Sequence, residues 1–369
     1  MTPDFTPLIQ AFDIAVAHGE RGAVCVMHEG HVLLELYAGE ARVGQPWHAD
    51  TLACCFSVTK GVLSLLAHVM IDADMISPDT RIASVWPAFG QNGKADITLL
   101  DVLTHRAGLP AVDHPVVPGD LYDHDRMIAH LERSAPVVPA RGAPVYHNMT
   151  YGHLLGETLC RAAAEPSLPQ LLERLVLHAL DADFRIGLNS ADMSRTAHLT
   201  QEEPGALFVS LRDAPDTLFA RSMAFFDPAE DFNSVRWRSA VIGSGSGHAT
   251  ARALATLYGQ FVWEDGLLTA TRRSAARSFQ CGSNCDPVLG IALRLAQGLE
   301  LSTPPGLEFG PDSAILGHWG AGGAQTLADP RTGITFAYLT GHLADGMGTS
   351  PRAALLVRAL YAGLNRRSN

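Results

Sequence analysis

Apolar and polar positions recur along this chain with two different periods, and the switches between them mark out its elements. Residues 5–18 carry Phe5, Leu8, Ile9, Phe12 and Ile14 to Val16 at helical spacing, which predicts an amphipathic helix. Residues 22–28 and 31–37 read as strands joined at Glu29-Gly30, a short turn suited to an antiparallel hairpin. The stretch that starts at Ser57 continues with Val62, Leu63, Leu65, Leu66, Ala67, Val69, Met70 and Ile71, apolar on every side. That pattern suits a helix buried in the middle of a protein. Residues 98–105 predict a compact helix, capped by Thr98 and stopped by Gly108 and Pro110. Residues 109–147, rich in Pro, Asp and His, predict loop with one helix near 126–133, and helices are predicted over 151–163 and 168–179. A polar Gly243-Ser244-Gly245-Ser246-Gly247 loop precedes a helix from about Thr250, with Ala251, Leu254, Leu257, Tyr258 and Phe261 on one side. Strands return at 324–328 and 334–339, joined by Asp329-Pro330-Arg331-Thr332-Gly333, and a helix over 351–364 closes the chain.

Strands therefore sit at both ends and helices between them. The economical architecture is of the α/β (α+β) class: one mostly antiparallel sheet built from N- and C-terminal segments, flanked by helices, with a mainly helical domain inserted. The expected division is a sheet domain from 1–75 and 236–369 and a helical domain from 76–235. No fixed-period repeat is evident.

Composition narrows the function classes. Of 369 residues, 47% are hydrophobic and 18% charged, the balance of a globular chain. A net charge of −11, with no basic run beyond Arg366-Arg367, argues against a nucleic-acid partner or an anionic membrane surface. The first residues lack the charged and apolar regions of a signal peptide, and the apolar run near 62–71 is too short to span a bilayer. The six cysteines form neither a disulfide framework nor a zinc cluster. Reduced thiols in a cytoplasmic protein are expected.

Three segments bear side chains capable of chemistry. Ser57 and Lys60 are three residues apart, so on a helix they share a face. A serine in a first turn sits among unpaired N–H groups that stabilise a developing oxyanion, and burial lowers a lysine's pKa toward that of a base. The same pair also fits an N-capping serine and a snorkelling surface lysine. The second segment is Pro144-Val145-Tyr146-His147-Asn148-Met149-Thr150-Tyr151-Gly152. Near an ammonium the phenolate of Tyr146 is favoured, which suits it to take a proton from Ser57; the bland reading is a buried tyrosine bonded to backbone. The third is Leu316-Gly317-His318-Trp319-Gly320-Ala321-Gly322-Gly323-Ala324, where the N–H of Ala321 is placed to complete an oxyanion hole with that of Ser57. A plain glycine-rich turn fits it as well.

Taken in order, the three resemble the serine β-lactamase and penicillin-binding-protein superfamily: Ser-x-x-Lys, then Tyr-x-Asn, then Lys/His-x-Gly on a strand. Leu103-Thr104-His105-Arg106-Ala107-Gly108-Leu109-Pro110 is similar to that superfamily's LLTHxSGLP segment. Tyr146 to Gly156 resembles its YSNxxYxLLG run, and Gly317-His318-Trp319-Gly320 its GHxG run. The resemblance extends over roughly 20–365 and is nearest to the class C branch and its family VIII carboxylesterases. It implies Ser57 as nucleophile, Lys60 and Tyr146 as the proton-handling pair, Asn148 as a positioning amide, and the N–H groups of Ser57 and Ala321 as oxyanion donors. It also places His318, Trp319 and Gly320 at the substrate, with His318 where β-lactamases keep a lysine and Trp319 where they keep threonine. A largely neutral imidazole and an indole weaken recognition of an anionic group and fit a neutral ester. His147, where the family often has Ser or Ala, is either a pocket residue or a solvent-facing one.

The implied reaction is a two-step acyl transfer on a small ester, with short acyl chains preferred and no metal or organic cofactor required. An amide-directed hydrolase (a D-amino-acid peptidase, an amidase or a weak β-lactamase) would use the same residues, and a non-catalytic binding protein of the same fold is a further alternative. An α/β-hydrolase is excluded, because no Gly-x-Ser-x-Gly is present. The Gly243 to Gly247 loop lacks the residues of a dinucleotide fingerprint or a P-loop, leaving a flexible pocket wall or a connector. Monomer and homodimer are both allowed.

Overall fold

Ile334–Thr340 is buried along its whole length, and the main sheet is laid out on either side of it. Its side chains alternate: Phe336 and Tyr338 enter one apolar cluster, Ala337 and Leu339 another. Gly22–His28 does the same, with Val24 and Val26 on one face and Ala23, Cys25 and Met27 on the other. A strand with a period of two and helices over both faces reads as a continuous apolar run, which is what these segments are.

The computed structural model describes residues 3–201, 214, 216–227, 231–344 and 346–365. Met1, Thr2, Arg366-Arg367 and part of the loop expected over 200–240 lie outside the described residues. In chain order the strands of the main sheet are β1 (Gly22–His28), β2 (His31–Ala38), β3 (Cys281–Ser283), β4 (Leu293–Leu295), β5 (Glu300–Leu301), β6 (Leu316–Trp319), β7 (Gln325–Ala328) and β8 (Ile334–Thr340). Their order in space is β2-β1-β8-β7-β6-β5-β4-β3, and every pairing is antiparallel. The N-terminal hairpin is joined to the C-terminal one by β1 and β8, with Gly22 opposite Thr340 and His28 opposite Ile334. The expected antiparallel sheet from the two ends of the chain is therefore the observed one.

Helices α1 (Thr6–Ala17) and α5 (Pro351–Leu364) cover one face, burying Leu8, Phe12, Leu356 and Leu360 with Val24 and Phe336. Helices α2 (Val58–Asp72) and α4 (Ala251–Gly259) cover the other. Between them, α3 (Thr150–Ala163) packs against α2. Every residue of α2 from Val58 to His68 is buried, which fits its lack of a polar face. Gly61 is required there: a Cβ would lie 2.0 Å from the hydroxyl of Tyr258, which donates to the Val58 carbonyl at 2.9 Å.

The middle of the chain is mainly helical, as expected, but it also supplies short strands. Phe184–Ile186 and Ala53–Cys54 flank Gly247–Ala249 in a small antiparallel sheet, and Thr200–Gln201 pairs in parallel with His342–Leu343. The small sheet pins the chain just before Ser57 to the end of the Gly243 to Gly247 loop. The helix at Leu99–Leu103 carries the expected Thr98 cap, closed as a box by Asp101.

Candidate active site

Ser57 is presented by a strained backbone. Phe56, immediately before it, has φ +44°, a left-handed conformation that a bulky residue adopts only when its surroundings enforce it. Its ring is held in an aromatic cluster, 5.0 Å from Phe232 and 6.0 Å from Trp237. Ser57 then occupies the N-cap of α2 with helical dihedrals, and its hydroxyl caps nothing, leaving it free for Lys60. The N-capping reading is thereby set aside.

Lys60 is 1% exposed, so it does not snorkel. Its Nζ lies 2.9 Å from Ser57 Oγ and 3.0 Å from the carbonyl oxygen of Ser244. Burial lowers its pKa to about 7, against a smaller opposing pull from the Glu300 carboxyl. At neutral pH a substantial fraction of the amine is unprotonated, the form that accepts a proton.

Tyr146 lies on the far side of the amine, with Lys60 Nζ 4.9 Å from its ring centroid. His105 stacks on the ring at 4.7 Å, and the Tyr146 N–H donates to Asp286 Oδ2 at 2.8 Å. Ser57 is the side chain nearest to bonding the phenol, yet the hydroxyl makes no hydrogen bond of normal geometry. One expectation is corrected here. Burial, reinforced by Glu300, pushes the phenol well above its ordinary pKa, so the hydroxyl is held protonated rather than as the expected phenolate.

The other expected residues separate into two layers. Ser57, Asn148, Trp319 and Ala321 line a cleft enclosing about 720 Å³, counting the part open to solvent. Asn148 Nδ2 contacts the sulfur of Met223 at 2.9 Å. The N–H groups of Ser57 and Ala321 form no hydrogen bond within the described residues, so both are available at the cleft wall. His318 and Gly320 lie behind that wall. His318 is buried, donates from Nδ1 to the Trp319 carbonyl at 2.7 Å, and is held neutral by burial and by Lys60, with a pKa of about 3. A Cβ on Gly320 would sit 2.3 Å from the Cys55 carbonyl oxygen, so this glycine sets how closely β6 approaches the Ser57 turn. His147 is buried and is not among the residues lining this cleft. It accepts the Leu109 N–H at 3.0 Å through Nε2 and donates from Nδ1 to the Val145 carbonyl at 2.7 Å, a brace between two loops.

Sequence reasoning missed three contributors. Ser244 belongs to the loop read as a flexible wall or connector; in fact its hydroxyl accepts the Gly152 N–H at 2.6 Å and donates to the Met149 carbonyl at 2.7 Å, fixing the carbonyl that holds Lys60. Its only sequence signal was the run of glycines around it. His105 carries φ +55° and accepts the His147 N–H at 3.0 Å on Nδ1 as it stacks on Tyr146. Glu300 is buried beside His318 and no motif announces it. Among the described residues no cluster of His, Cys, Asp and Glu could hold a metal ion.

The family model described as Beta-lactamase matches residues 8–359. The chain belongs to the beta-lactamase family. Within it, the chain is similar to Esterase/beta-lactamase LipL of Mycobacterium tuberculosis (strain ATCC 25618 / H37Rv), 31% identical over 360 residues, 92% of this chain and 82% of that one. Among solved structures it resembles a penicillin-binding-protein homologue from Caulobacter crescentus, with TM-score 0.86 and 30% identity over 98% of this chain and 97% of that one. A family VIII carboxylesterase superposes with TM-score 0.84 and 28% identity over 99% and 98% of the two chains. The beta-lactamase fold, with its antiparallel main sheet between helical layers, is thus established for this chain. No helix among the described residues is long and apolar enough to cross a membrane, and all six cysteines are free.

Proposed function

We propose that this member of the beta-lactamase family is a serine hydrolase that cleaves small, neutral carboxylic esters through an acyl-enzyme on Ser57. The observation that carries the reading is the 2.9 Å contact between Ser57 Oγ and a buried Lys60 amine whose pKa lies near neutrality. The neutral amine accepts the Ser57 proton as Oγ bonds to the acyl carbon. The oxyanion is held by the N–H groups of Ser57 and Ala321, which face the cleft without other partners. The protonated phenol of Tyr146 then donates to the departing alkoxide and is re-supplied by the Lys60 ammonium. Water enters, and the same groups act in reverse to release the acid. No metal or organic cofactor takes part in these steps.

Ester over anionic amide is favoured by what faces the substrate. Phe56, Met149, Met223, Trp237, Trp319 and Leu343 make the described wall largely apolar, and no Lys or Arg is among its residues. His318, at the position of a β-lactamase lysine, is neutral and set back, so it offers no cation to a carboxylate. The esterase names of two relatives point the same way. Asn148, at the cleft wall, is assigned to positioning the acyl group, and Trp319 to flanking it. A cytoplasmic location is part of this proposal and accords with the free cysteines.

The test is a panel of p-nitrophenyl esters of rising acyl length, set beside a D-alanyl amide and a chromogenic cephalosporin. The expected result is fastest turnover of short acyl esters, with the amide and the lactam slower by orders of magnitude. A fluorophosphonate probe should label the wild type and spare Ser57→Ala. Labelling of neither protein would replace this reading with a binding module.

A further inference from the structure

Two histidines meet head to head beside the apolar cluster that holds Phe56, at a place the acyl transfer does not use. His114 belongs to the loop after Pro110, and His130 to the helix His124–Arg133. His114 Nε2 lies 2.9 Å from His130 Nδ1. A carboxylate holds the outer nitrogen of each ring: His114 Nδ1 is 2.9 Å from Asp113 Oδ1, and His130 Nε2 is 3.0 Å from Asp120 Oδ2. Both rings are half-buried.

Counting protons along this chain gives its charge. Each of the three hydrogen bonds needs one proton and an ionised carboxylate brings none, so the two rings carry three. Two neutral imidazoles carry only two, so one ring is an imidazolium whenever the chain is complete. The bond from His114 lowers the Asp113 pKa to about 2, which keeps that carboxyl an acceptor. The ring centroids are 5.1 Å apart and the planes inclined by 26°, close to the widest separation that nitrogens at 2.9 Å permit, so the rings lie end to end. A metal ion in line between them would need nitrogens about 4 Å apart, twice the usual metal–imidazole distance. A proton fits the gap and a metal ion does not.

The groups around the chain are committed to other bonds or to its carboxylates. From the His130 helix, Arg126 donates to Asp120 Oδ1 at 3.0 Å and pairs with Asp123 at 3.2 Å. The N–H of Val117 donates to Asp120 and that of Ala135 to Asp113, both at 3.1 Å. Lys94 gives its ammonium to the carbonyls of Glu132 and Ser134. From the facing segment, Arg221 donates to the Val112 carbonyl at 3.4 Å, and Phe225 presents a ring 5.6 Å from that of His130.

We propose that His114 and His130 share one proton between Asp113 and Asp120, and that this clamp positions the Met223 wall of the cleft only while a single proton is held. Losing the proton to solvent leaves two lone pairs facing each other at 2.9 Å. Gaining a second sets two N–H groups against each other. Either parts the rings, so the clamp closes within a pH window and opens on both sides of it. It reaches the cleft through Phe225, whose carbonyl accepts the N–H of Gly119, the neighbour of Asp120, at 2.9 Å. Met223 stands two residues before Phe225, lines the cleft and touches Asn148. Parting the rings frees the segment that carries Met223, and the substrate meets a looser wall. The effect on an ester rests on the reading of this cleft as an ester site; the shared proton does not.

The first measurement is proton–nitrogen NMR of the full chain labelled with ring-15N histidine, across a pH series. One far-downfield N–H resonance should correlate with ring nitrogens of both His114 and His130, vanish at both ends of the series, and be absent from His114→Gln, whose amide cannot take up a proton. Absence of that resonance at every pH overturns the proposal. The second is the ratio of KM for p-nitrophenyl butyrate between His114→Gln and wild type at each pH, in which the titration of Lys60, common to both, cancels. The ratio should be about fivefold inside the window, the worth of one ordinary hydrogen bond, and fall to one on both sides, with the kcat ratio flat. A ratio independent of pH means a merely structural contact and overturns the proposal. Should His114→Gln not fold, His130→Gln serves in its place. If wild type does not turn over the ester, the ester reading fails by itself. The clamp is then decided by the resonance and by the gap in thermal midpoint between wild type and variant, which should be bell-shaped in pH; a flat gap overturns it.

Discussion

The carbonyl oxygen of Ser244 accepts a hydrogen bond from the Lys60 amine at 3.0 Å, across 184 residues of sequence. Its side chain is locked to the first turn of α3, between the Gly152 N–H and the Met149 carbonyl. The close approach needs glycine on the helix, since a Cβ at Gly152 would lie 2.2 Å from the backbone of the loop. Ser244→Ala removes both side-chain bonds and leaves a buried N–H unpaired, which costs about 1–3 kcal/mol. Chemical denaturation should read that loss, and turnover should fall because the carbonyl that orients Lys60 is no longer held.

Lys60 fixes the pH dependence of the reaction. The amine works as a base only when unprotonated, and its pKa lies at about 7, so kcat/KM for a neutral ester should rise with pH through that value and then level off. Lys60→Arg should abolish this limb, because a guanidinium stays protonated, and activity should drop by roughly 10²-fold or more. A pH profile of both proteins on one ester checks it.

Tyr146→Phe separates activity from stability. The phenol is buried without a normal hydrogen bond, so removing its oxygen should leave the thermal midpoint unchanged or raised. Loss of the acid that protonates the leaving alcohol should nevertheless slow turnover by about 10²–10⁴-fold. Calorimetry together with steady-state kinetics decides it; a parallel loss of stability would mean that the hydroxyl is bonded after all.

Gly320→Ala should push β6 away from the Ser57 turn. The added methyl would meet the Cys55 carbonyl oxygen at 2.3 Å, and neither strand nor turn has a flexible side chain to yield there. Overpacking of this kind costs about 1–3 kcal/mol. The expected signature is a lowered thermal midpoint together with slower fluorophosphonate labelling, since the Ala321 N–H moves with the strand.

The hairpin partners β7 and β8, the buried helix α2 and the Thr98 cap were legible because each follows from local periodicity or capping chemistry. The same holds for the pairing of Ser57 with Lys60, whose spacing brings them to one helix face. The protonation of Tyr146 was not legible: a neighbouring amine argues for phenolate, and only the depth of burial reverses that argument. Nor was the role of His147, since two ring nitrogens bracing two loops leave no trace in a residue string.

By itself, the sequence determined the two terminal hairpins and the main helices, that both ends of the chain would share one sheet, and which three short motifs carry reactive side chains, while the short strands over 281–301 and in the small sheets were set by pairing across the fold. Tertiary structure alone decided the electrical state of the site. Whether an amine, a phenol, an imidazole or a carboxyl holds its proton depends on how much water and which opposite charge surround it. Those surroundings for Lys60 come from Ser244 and Glu300, both distant in the chain and joined to it only by folding.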